Sequence, residues 1–136
     1  MSKTDFLKSF MEEIWNQKKL DHIADYVHPN YKIHIDTGDP WEGKLLSHEL
    51  FLQRLHHSFV PFPDIHFEIL SAIEEQYHVA ITWQMTGTNL GAIGTLPATG
   101  KSIKTPGMTI YHFEDGLIAG HSQVFNRGLV QQQLGF

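Results

Sequence analysis

Cysteine is absent from all 136 residues of the chain. Its absence excludes disulfide bonds, thiolate zinc sites, iron–sulfur clusters and a cysteine nucleophile, and it favours a cytoplasmic location. Positive charge is also scarce, because ten lysines and arginines face fifteen aspartates and glutamates, for a formal net charge of −5. We therefore expect no broad surface that neutralises phosphates, and nucleic acid is not an expected partner.

Long apolar runs and the common catalytic motifs are missing as well. No apolar run approaches the roughly 18 residues of a membrane-spanning helix, and the N-terminal sequence lacks the apolar core of a signal peptide. The sequence contains no G-x-G-x-x-G, Walker loop, H-E-x-x-H or G-x-S-x-G motif, so four large enzyme classes have no local support. His48-Glu49 lacks a second histidine four residues on, and His56 and His57 would point about 100° apart on a helix. Neither a membrane partner nor a metal site is predicted.

The composition that remains fits one domain over residues 1–136. Hydrophobic residues make up 41% and charged residues 18% of the chain, which is typical of a globular protein rather than a disordered one. Histidine is unusually frequent, and protonating all ten histidines would move the formal charge from −5 to −5 + 10, or +5. Solubility and assembly are therefore expected to depend on pH below about 6.5.

The spacing of apolar residues predicts helices first and strands later. Residues at i, i+3 and i+4 predict helices over 4–18, 20–27 and 47–59. Alternation predicts strands over 31–35, 65–69, 79–85, 103–113 and 117–126, with a loop over 89–101 and a short helix or turn over 129–134. This order predicts an α+β fold, in which N-terminal helices pack on one face of an antiparallel or mixed sheet. If that sheet is strongly curved, an internal pocket remains between the sheet and the helices.

The first predicted strand carries two polar candidates. His34 and Asp36 are two residues apart, so a regular strand places both on one face and Ile33 and Ile35 on the other. Two interpretations remain open. Either the polar pair lies on the solvated face, or it lies in the cavity, where burial tunes an imidazole or carboxylate towards general acid–base work.

The last predicted strand also has two distinct faces. Gly120, Ser122 and Asn126 share one face, whereas His121 and Gln123 share the other. Side chains as small as those of Gly120 and Ser122 cannot fill a concavity. Their face therefore either leaves space for a ligand or allows the close approach of a partner subunit.

Five short segments resemble, in order, the SnoaL-like polyketide cyclase family. They are Phe59-Val60-Pro61-Phe62-Pro63-Asp64, Trp83-Gln84-Met85-Thr86-Gly87-Thr88, Pro97-Ala98-Thr99-Gly100-Lys101, Phe113-Glu114-Asp115-Gly116-Leu117-Ile118 and Gln132-Gln133-Leu134-Gly135. Trp15-Asn16 and the segment from Tyr31 to His34 fit the same pattern, so the resemblance covers nearly the whole chain. It implies the cone-shaped fold of the nuclear-transport-factor-2-like superfamily, a deep apolar pocket and a homodimer.

The resemblance also implies a reaction and a departure from it. True cyclases of this family close a ring in an aromatic polyketide ester by an intramolecular aldol reaction, without a metal or a cofactor. The family's buried acid–base aspartate, on the last strand, corresponds to Asn126 in this chain. Asparagine cannot exchange a proton near neutral pH, so this step does not carry over at that position.

Three hypotheses of function follow. In the first, the chain is an enzyme that acts on a small, largely apolar carbonyl compound by cyclisation, isomerisation or hydrolysis. His34 is then the acid–base candidate, and Asn126 and His121 orient the substrate oxygen. An apolar wall is expected from Trp15, Trp83 and Met108, although both tryptophans also fit plain core packing. In the second hypothesis the chain binds a hydrophobic small molecule without catalysis, and in the third it is an assembly module that pairs through the outer face of its sheet.

Overall fold

The computed structural model describes all 136 residues. The helices are α1 (Lys3–Phe10), which continues into a π-helical segment (Met11–Asn16), α2 (Ile23–Tyr26), preceded by a 3₁₀ turn (Leu20–His22), α3 (His48–Phe59) and α4 (Arg127–Leu134). The strands are β1 (Val27–Ile35), β2 (Leu45–Leu46), β3 (His66–Glu74), β4 (His78–Thr88), β5 (Ser102–Glu114) and β6 (Leu117–Phe125). Four helices thus pack on one six-stranded sheet, and the predicted α+β fold is confirmed.

The sheet is mixed and open. Its strand order is β2-β1-β6-β5-β4-β3, and every neighbouring pair is antiparallel except β1 and β6, which are parallel. The turn between β5 and β6 has positive φ angles at Asp115 and Gly116, as a tight two-residue hairpin turn requires. None of the helices combines the length and the apolarity needed to cross a bilayer.

Alternation along the central strands separates an inner face of the sheet from an outer face. On β4 the buried side chains are those of Val79, Ile81, Trp83 and Met85, and the residues between them are less buried. The inner face packs against α1, the π-helical segment and α3, where Phe10, Ile14 and Phe51 are almost fully buried. Burial of one face by helices is the usual way in which an antiparallel sheet excludes water from its core.

The third helix matches its prediction closely. The Ser47 hydroxyl accepts a hydrogen bond from the backbone N–H of Leu50 at 3.2 Å, as a serine at the helix N-cap is expected to do. Phe51, Leu55 and Phe59 then repeat every four residues and are all buried. The helix therefore begins and ends where its sequence predicts.

Four local predictions differ from the structure, and one of them is β3, which was predicted over 65–69 and extends over His66–Glu74. The first helix was predicted to reach residue 18 but ends at Asn16, and the short strand β2 was missed. The turn predicted at His28-Pro29-Asn30 lies within β1. Proline is tolerated at that point because the short β2 pairs only with Tyr31 and Lys32, which leaves β1 near Pro29 without a neighbour on that side.

Candidate active site

A cavity lies between the inner face of the sheet and the helices. Its inner part has a volume of about 80 Å³ and is lined mainly by apolar and aromatic side chains. A wider vestibule of about 750 Å³ lies between α3, α4 and the loop that contains Ile93 and Leu96. The two spaces adjoin, because five residues line both of them: Ser58, Ile65, Met85, Phe125 and Arg127.

A buried carboxylate lies behind the polar end of the inner cavity. Asp36 is 1% exposed, and its Oδ2 accepts hydrogen bonds from His121 Nε2 at 2.8 Å, Arg54 at 3.0 Å and Gln123 at 3.2 Å. Its Oδ1 accepts a hydrogen bond from Arg127 at 3.0 Å. Burial by itself would raise the pKa of Asp36, but the His121 hydrogen bond and the two arginine charges lower it below its usual value. The carboxylate is therefore ionised at neutral pH.

A bulge in β1 is what turns Asp36 inward. The register between β1 and β6 shifts between Ile33 and Ile35, which changes the alternation of side chains at the end of the strand. Ile33 is fully buried, Ile35 is 55% exposed and Asp36 is buried again. The expectation that His34 and Asp36 share a face was therefore wrong, since His34 lies outside and Asp36 inside.

His121 connects Asp36 to a tyrosine. His121 is 2% exposed and lines the inner cavity. Its Nδ1 lies 2.5 Å from the hydroxyl oxygen of Tyr31, which also lines the cavity. Burial lowers the pKa of His121 and raises the pKa of Tyr31 well above its usual value. We infer that the imidazole is neutral, donates from Nε2 to Asp36 and accepts at Nδ1 from the tyrosine hydroxyl.

Ion pairs with two arginines surround the hydrogen-bonded residues Asp36, His121 and Tyr31. Arg54 on α3 contacts both Asp36 and Asp39 at 3.0 Å. Burial disfavours the charged arginine, but Asp39 and its neighbours outweigh this effect and raise the pKa of Arg54. Arg127, at the start of α4, adds a second positive charge beside Asp36. Two arginines and two carboxylates therefore balance in charge at the polar end of the cavity.

A second hydrogen-bonded chain ties the aromatic wall to the polar end. Trp83 Nε1 donates to Thr109 Oγ1 at 2.8 Å, and Thr109 Oγ1 donates to Gln123 Oε1 at 2.8 Å. Gln123 in turn donates to Asp36. The indole has room because the facing residue on β5 is Gly107, where an added Cβ would lie 2.2 Å from a ring carbon of Trp83.

Three of the candidate residues identified from the sequence come together at the cavity. His121, Trp15 and Trp83 all line its inner part and are buried. Trp15 also contacts the ring of Phe67 at a centroid distance of 5.0 Å. The inward face of β6 is thus the one with His121 and Gln123, and the face with Gly120 and Ser122 points outward.

The other three candidates do not reach the cavity. His34 is exposed on the outer face of the sheet, within the β1 bulge between Ile33 and Ile35. Met108 is 57% exposed on that same face, since its neighbours Gly107 and Thr109 point inward. Asn126 is exposed after the end of β6, where its Oδ1 accepts a hydrogen bond from Leu129 N at 3.0 Å and caps α4.

The polar residues that sequence reasoning missed are Tyr31, Arg54 and Arg127, whereas Asp36 was named only as one of a pair with His34. Arg54 gave the clearest signal, because it lies between Phe51 and Leu55 on the apolar side of α3, and a cation there needs a buried partner. The only three-residue group with ligand atoms converged for a metal lies far from the cavity, at His28, Glu114 and Asp115. The cavity itself has no such group.

Comparisons with known proteins identify the family of the chain and relatives that share its fold. The sequence model of the family described as SnoaL-like polyketide cyclase matches residues 6–134. No curated protein sequence matches the chain. A candidate polyketide cyclase from Acidithiobacillus ferrooxidans has a solved structure that is 35% identical, with 96% of this chain and 92% of that chain covered and a TM-score of 0.89.

More distant structures share the fold. IdmH, a candidate polyketide cyclase from Streptomyces antibioticus, is 20% identical with 100% of both chains covered and a TM-score of 0.83. AclR, a candidate hydroxylase from Streptomyces galilaeus, is 23% identical with 98% of this chain and 83% of that chain covered and a TM-score of 0.78. From the family match over nearly its whole length, we conclude that this chain belongs to the SnoaL-like polyketide cyclase family.

Proposed function

We propose that the chain is a cofactor-free enzyme that moves protons on a small, largely apolar carbonyl compound, as a ring-closing aldol reaction requires. The observation that carries this proposal is the buried hydrogen-bonded chain from Asp36 through His121 to Tyr31 at the inner end of an apolar cavity. Family membership supports the same class of reaction. The acid–base role that the sequence suggested for His34 moves to His121 in this proposal.

The arrangement supplies a proton relay. The Tyr31 oxygen takes a proton from the carbon next to the substrate carbonyl while the Tyr31 hydroxyl proton passes to His121 Nδ1. The imidazolium that forms is stabilised by the Asp36 carboxylate, which also fixes the imidazole tautomer beforehand. After the enolate attacks a second carbonyl of the same substrate, the relay runs backwards and returns the proton to the new alkoxide oxygen.

The size and lining of the cavity define the class of substrate. An inner space of about 80 Å³ holds only the reacting part of a drug-sized molecule, since pockets that enclose such ligands measure about 300–1,000 Å³. The rest of the molecule would lie in the vestibule, beside Trp41, Leu96 and Phe136. We therefore propose an elongated, mainly apolar or aromatic ketone or ester with its enolisable carbon at the inner end.

Exchange of substrate protons with D₂O tests this proposal without the natural substrate. An aromatic β-keto ester is incubated with the protein, and the loss of its α-proton signal is followed by NMR. Tyr31→Phe and His121→Asn should each lower the enzyme-catalysed rate by about 100-fold or more, the usual contribution of a positioned acid or base. His66→Asn, at an exposed histidine on β3, is the matched control and should exchange at the wild-type rate.

The outcome that would contradict the proposal is equal exchange by the wild type and both variants. Such a result would favour the second candidate function, a binding protein for the same class of molecule. One observation favours that alternative: both ring nitrogens of His121 already have partners, so no free base faces the cavity. A binding protein should be stabilised by its ligand, by about 2.7 kcal/mol at a hundredfold excess over Kd, without any exchange.

We also propose that the chain forms a homodimer through the outer face of the sheet. Met108, Ile110 and Val124 are 57%, 49% and 60% exposed on the adjacent strands β5 and β6. A contiguous apolar patch of this kind is typical of an interaction surface. Light scattering after gel filtration should give twice the 15.6 kDa of the chain, and Val124→Lys should give the monomer mass. A monomeric wild type at a protein concentration high enough to populate a weak dimer would contradict this proposal.

A further inference from the structure

Three histidines from three strands meet on the outer face of the sheet, away from the cavity. The ring of His112 on β5 lies 4.3 Å from that of His78 on β4 and 5.1 Å from that of His34 on β1, between ring centroids. We call these three residues the outer histidine cluster. Nothing in the proposed proton transfer uses them.

A glycine on β6 allows His34 to approach the other two histidines. Between β5 and β1 lies β6, and its residue opposite His112 is Gly120. An added Cβ at Gly120 would lie 3.3 Å from His34 Nε2 and 2.5 Å from the Lys32 carbonyl oxygen. Because Gly120 has no side chain, the imidazole of His34 lies over β6 and reaches His112 on the strand beyond.

The tautomer of His78 leaves a nitrogen free. His78 Nδ1 is hydrogen-bonded to the carboxylate of Glu75, so this nitrogen carries the proton and Nε2 keeps its lone pair. A carboxylate that holds the far nitrogen of a histidine is the usual outer partner of a metal-binding imidazole. No protein group hydrogen-bonds to the rings of His34 or His112, so both of these imidazoles can also offer a lone pair.

We propose that the outer histidine cluster binds one divalent transition-metal ion, such as Zn²⁺ or Ni²⁺, with Glu75 as the outer partner of His78. Two imidazoles on one tetrahedral zinc, with Zn–N bonds of about 2.0–2.1 Å, have ring centroids about 5 Å apart. The spacing of 5.1 Å between His34 and His112 meets this value. The ring nitrogens of the three histidines do not all lie within 4.8 Å of one another, so the proposal requires the His78 side chain to rotate. That side chain is 37% exposed, and its ring lies 4.3 Å from the ring of His112. Imidazole nitrogens favour Zn²⁺, Cu²⁺ and Ni²⁺ over Mg²⁺ or Ca²⁺.

The converged group at the β5–β6 turn is the competing location, and its hydrogen bonds argue against it. The backbone N–H of Asn30 donates to His28 Nδ1 at 3.1 Å. His28 therefore carries its proton on Nε2, which is the nitrogen that faces Asp115 at 3.3 Å. A protonated nitrogen cannot bind a metal, so this group needs a change of tautomer and the loss of a backbone hydrogen bond. The outer histidine cluster needs neither.

Calorimetric titration of the chelator-treated protein with Zn²⁺ at neutral pH tests the proposal. We expect one ion per chain for the wild type, and a loss of affinity of about 100-fold in His112→Asn, which removes the central ligand. Glu75→Gln should weaken binding by about tenfold, as expected for the outer partner of a ligating histidine. His66→Asn is the matched control, because His66 is an exposed histidine on the neighbouring strand β3, and its affinity should equal that of the wild type.

Two further measurements separate this site from the turn group and from a loss of folding. Asp115→Asn disables the turn group but suits the positive φ of 54° at that position, and it should bind zinc as the wild type does. Thermal unfolding without metal shows whether each variant is folded, and zinc should raise Tm for the wild type and not for His112→Asn. Wild-type affinity in His112→Asn, loss of binding in Asp115→Asn, or no binding of zinc by the wild type would each overturn the proposal.

Discussion

The Asp36 carboxylate offers a test that needs no substrate, because its role in stability follows from its contacts. Asp36→Asn preserves the size of the side chain and removes the charge that two arginines and His121 share. Removing one partner of a buried ion pair costs about 3–5 kcal/mol, since the other charge stays buried. The lower end of that range applies here, because Arg54 keeps its contact with Asp39 and Arg127 is 37% exposed.

A decrease of about 3 kcal/mol in the free energy of unfolding of Asp36→Asn is large for a chain of this size. Unfolding entropy of about 2.1 cal/mol/K per residue gives roughly 0.29 kcal/mol/K for the whole chain, so Tm should fall by about 10 °C. Differential scanning calorimetry at neutral pH measures this shift, and urea unfolding measures the free energy independently. Asp25→Asn, at an exposed aspartate, is the matched control and should change Tm by less than about 2 °C.

The pH dependence of this difference provides an internal check. The pKa of Asp36 in the folded state is lowered. The stabilisation by its carboxylate is therefore fully present above the pKa of about 3.9 in the unfolded chain, and it is lost as the pH falls through the pKa of the folded state. Wild type and Asp36→Asn should therefore approach each other in stability below about pH 3.9. A loss under about 1 kcal/mol at neutral pH, or a difference that persists at low pH, would refute an ionised, buried Asp36.

Three further predictions concern neighbouring positions. Burial lowers the pKa of His121, so the unfolded chain binds more protons as the pH falls below about 6.5 and stability declines there. Calorimetry from neutral pH down to about pH 5 should show a shallower decline for His121→Asn, and an equal slope would contradict the assignment. Gly107→Ala should lower the free energy of unfolding by about 2 kcal/mol or more, because the new methyl group meets the Trp83 ring. It should also shift the tryptophan fluorescence. Unchanged emission and stability would show that the ring moves freely. Asn126→Asp should leave the free energy of unfolding within about 0.5 kcal/mol of the wild-type value, since either residue caps α4. Asn126→Ala should lower it by about 1 kcal/mol. Equal stability of the two variants would show that the cap contributes nothing.

Much of the fold could be predicted from the sequence because its signals are local. The Ser47 cap and the four-residue repeat of Phe51, Leu55 and Phe59 all lie within one short stretch of chain. Alternation on β4 and β5 runs without interruption over 11 and 13 residues, so period-2 reasoning identifies both strands. The resemblance to the family then adds the curved sheet and the pocket, which neither the helical nor the strand spacing of apolar residues shows by itself.

The polar end of the cavity could not be predicted, because it depends on irregularity and on distant pairing. Asp36 points inward only because of the bulge after Ile33, and nothing in the local pattern of residues 31–36 marks that bulge. Its partner His121 lies 85 residues further along the chain, and the two meet because β1 and β6 are parallel neighbours. A parallel pair inside an otherwise antiparallel sheet is a property of the whole topology, which no short window of sequence contains.

In the proposed function, acid–base chemistry does not depend on position 126, where the resemblance implies an aspartate and this chain has Asn126. At Asn126 a carboxylate would lie exposed at a helix N-terminus, where water and the helix dipole keep it ionised and weakly basic. In this proposal the buried carboxylate is that of Asp36, which directly follows β1 and acts through His121 rather than on the substrate itself. The relay then combines a group that stays charged with two groups that burial keeps neutral, His121 and Tyr31. In the proposed function, this separation of roles permits proton transfer at neutral pH inside an apolar cavity.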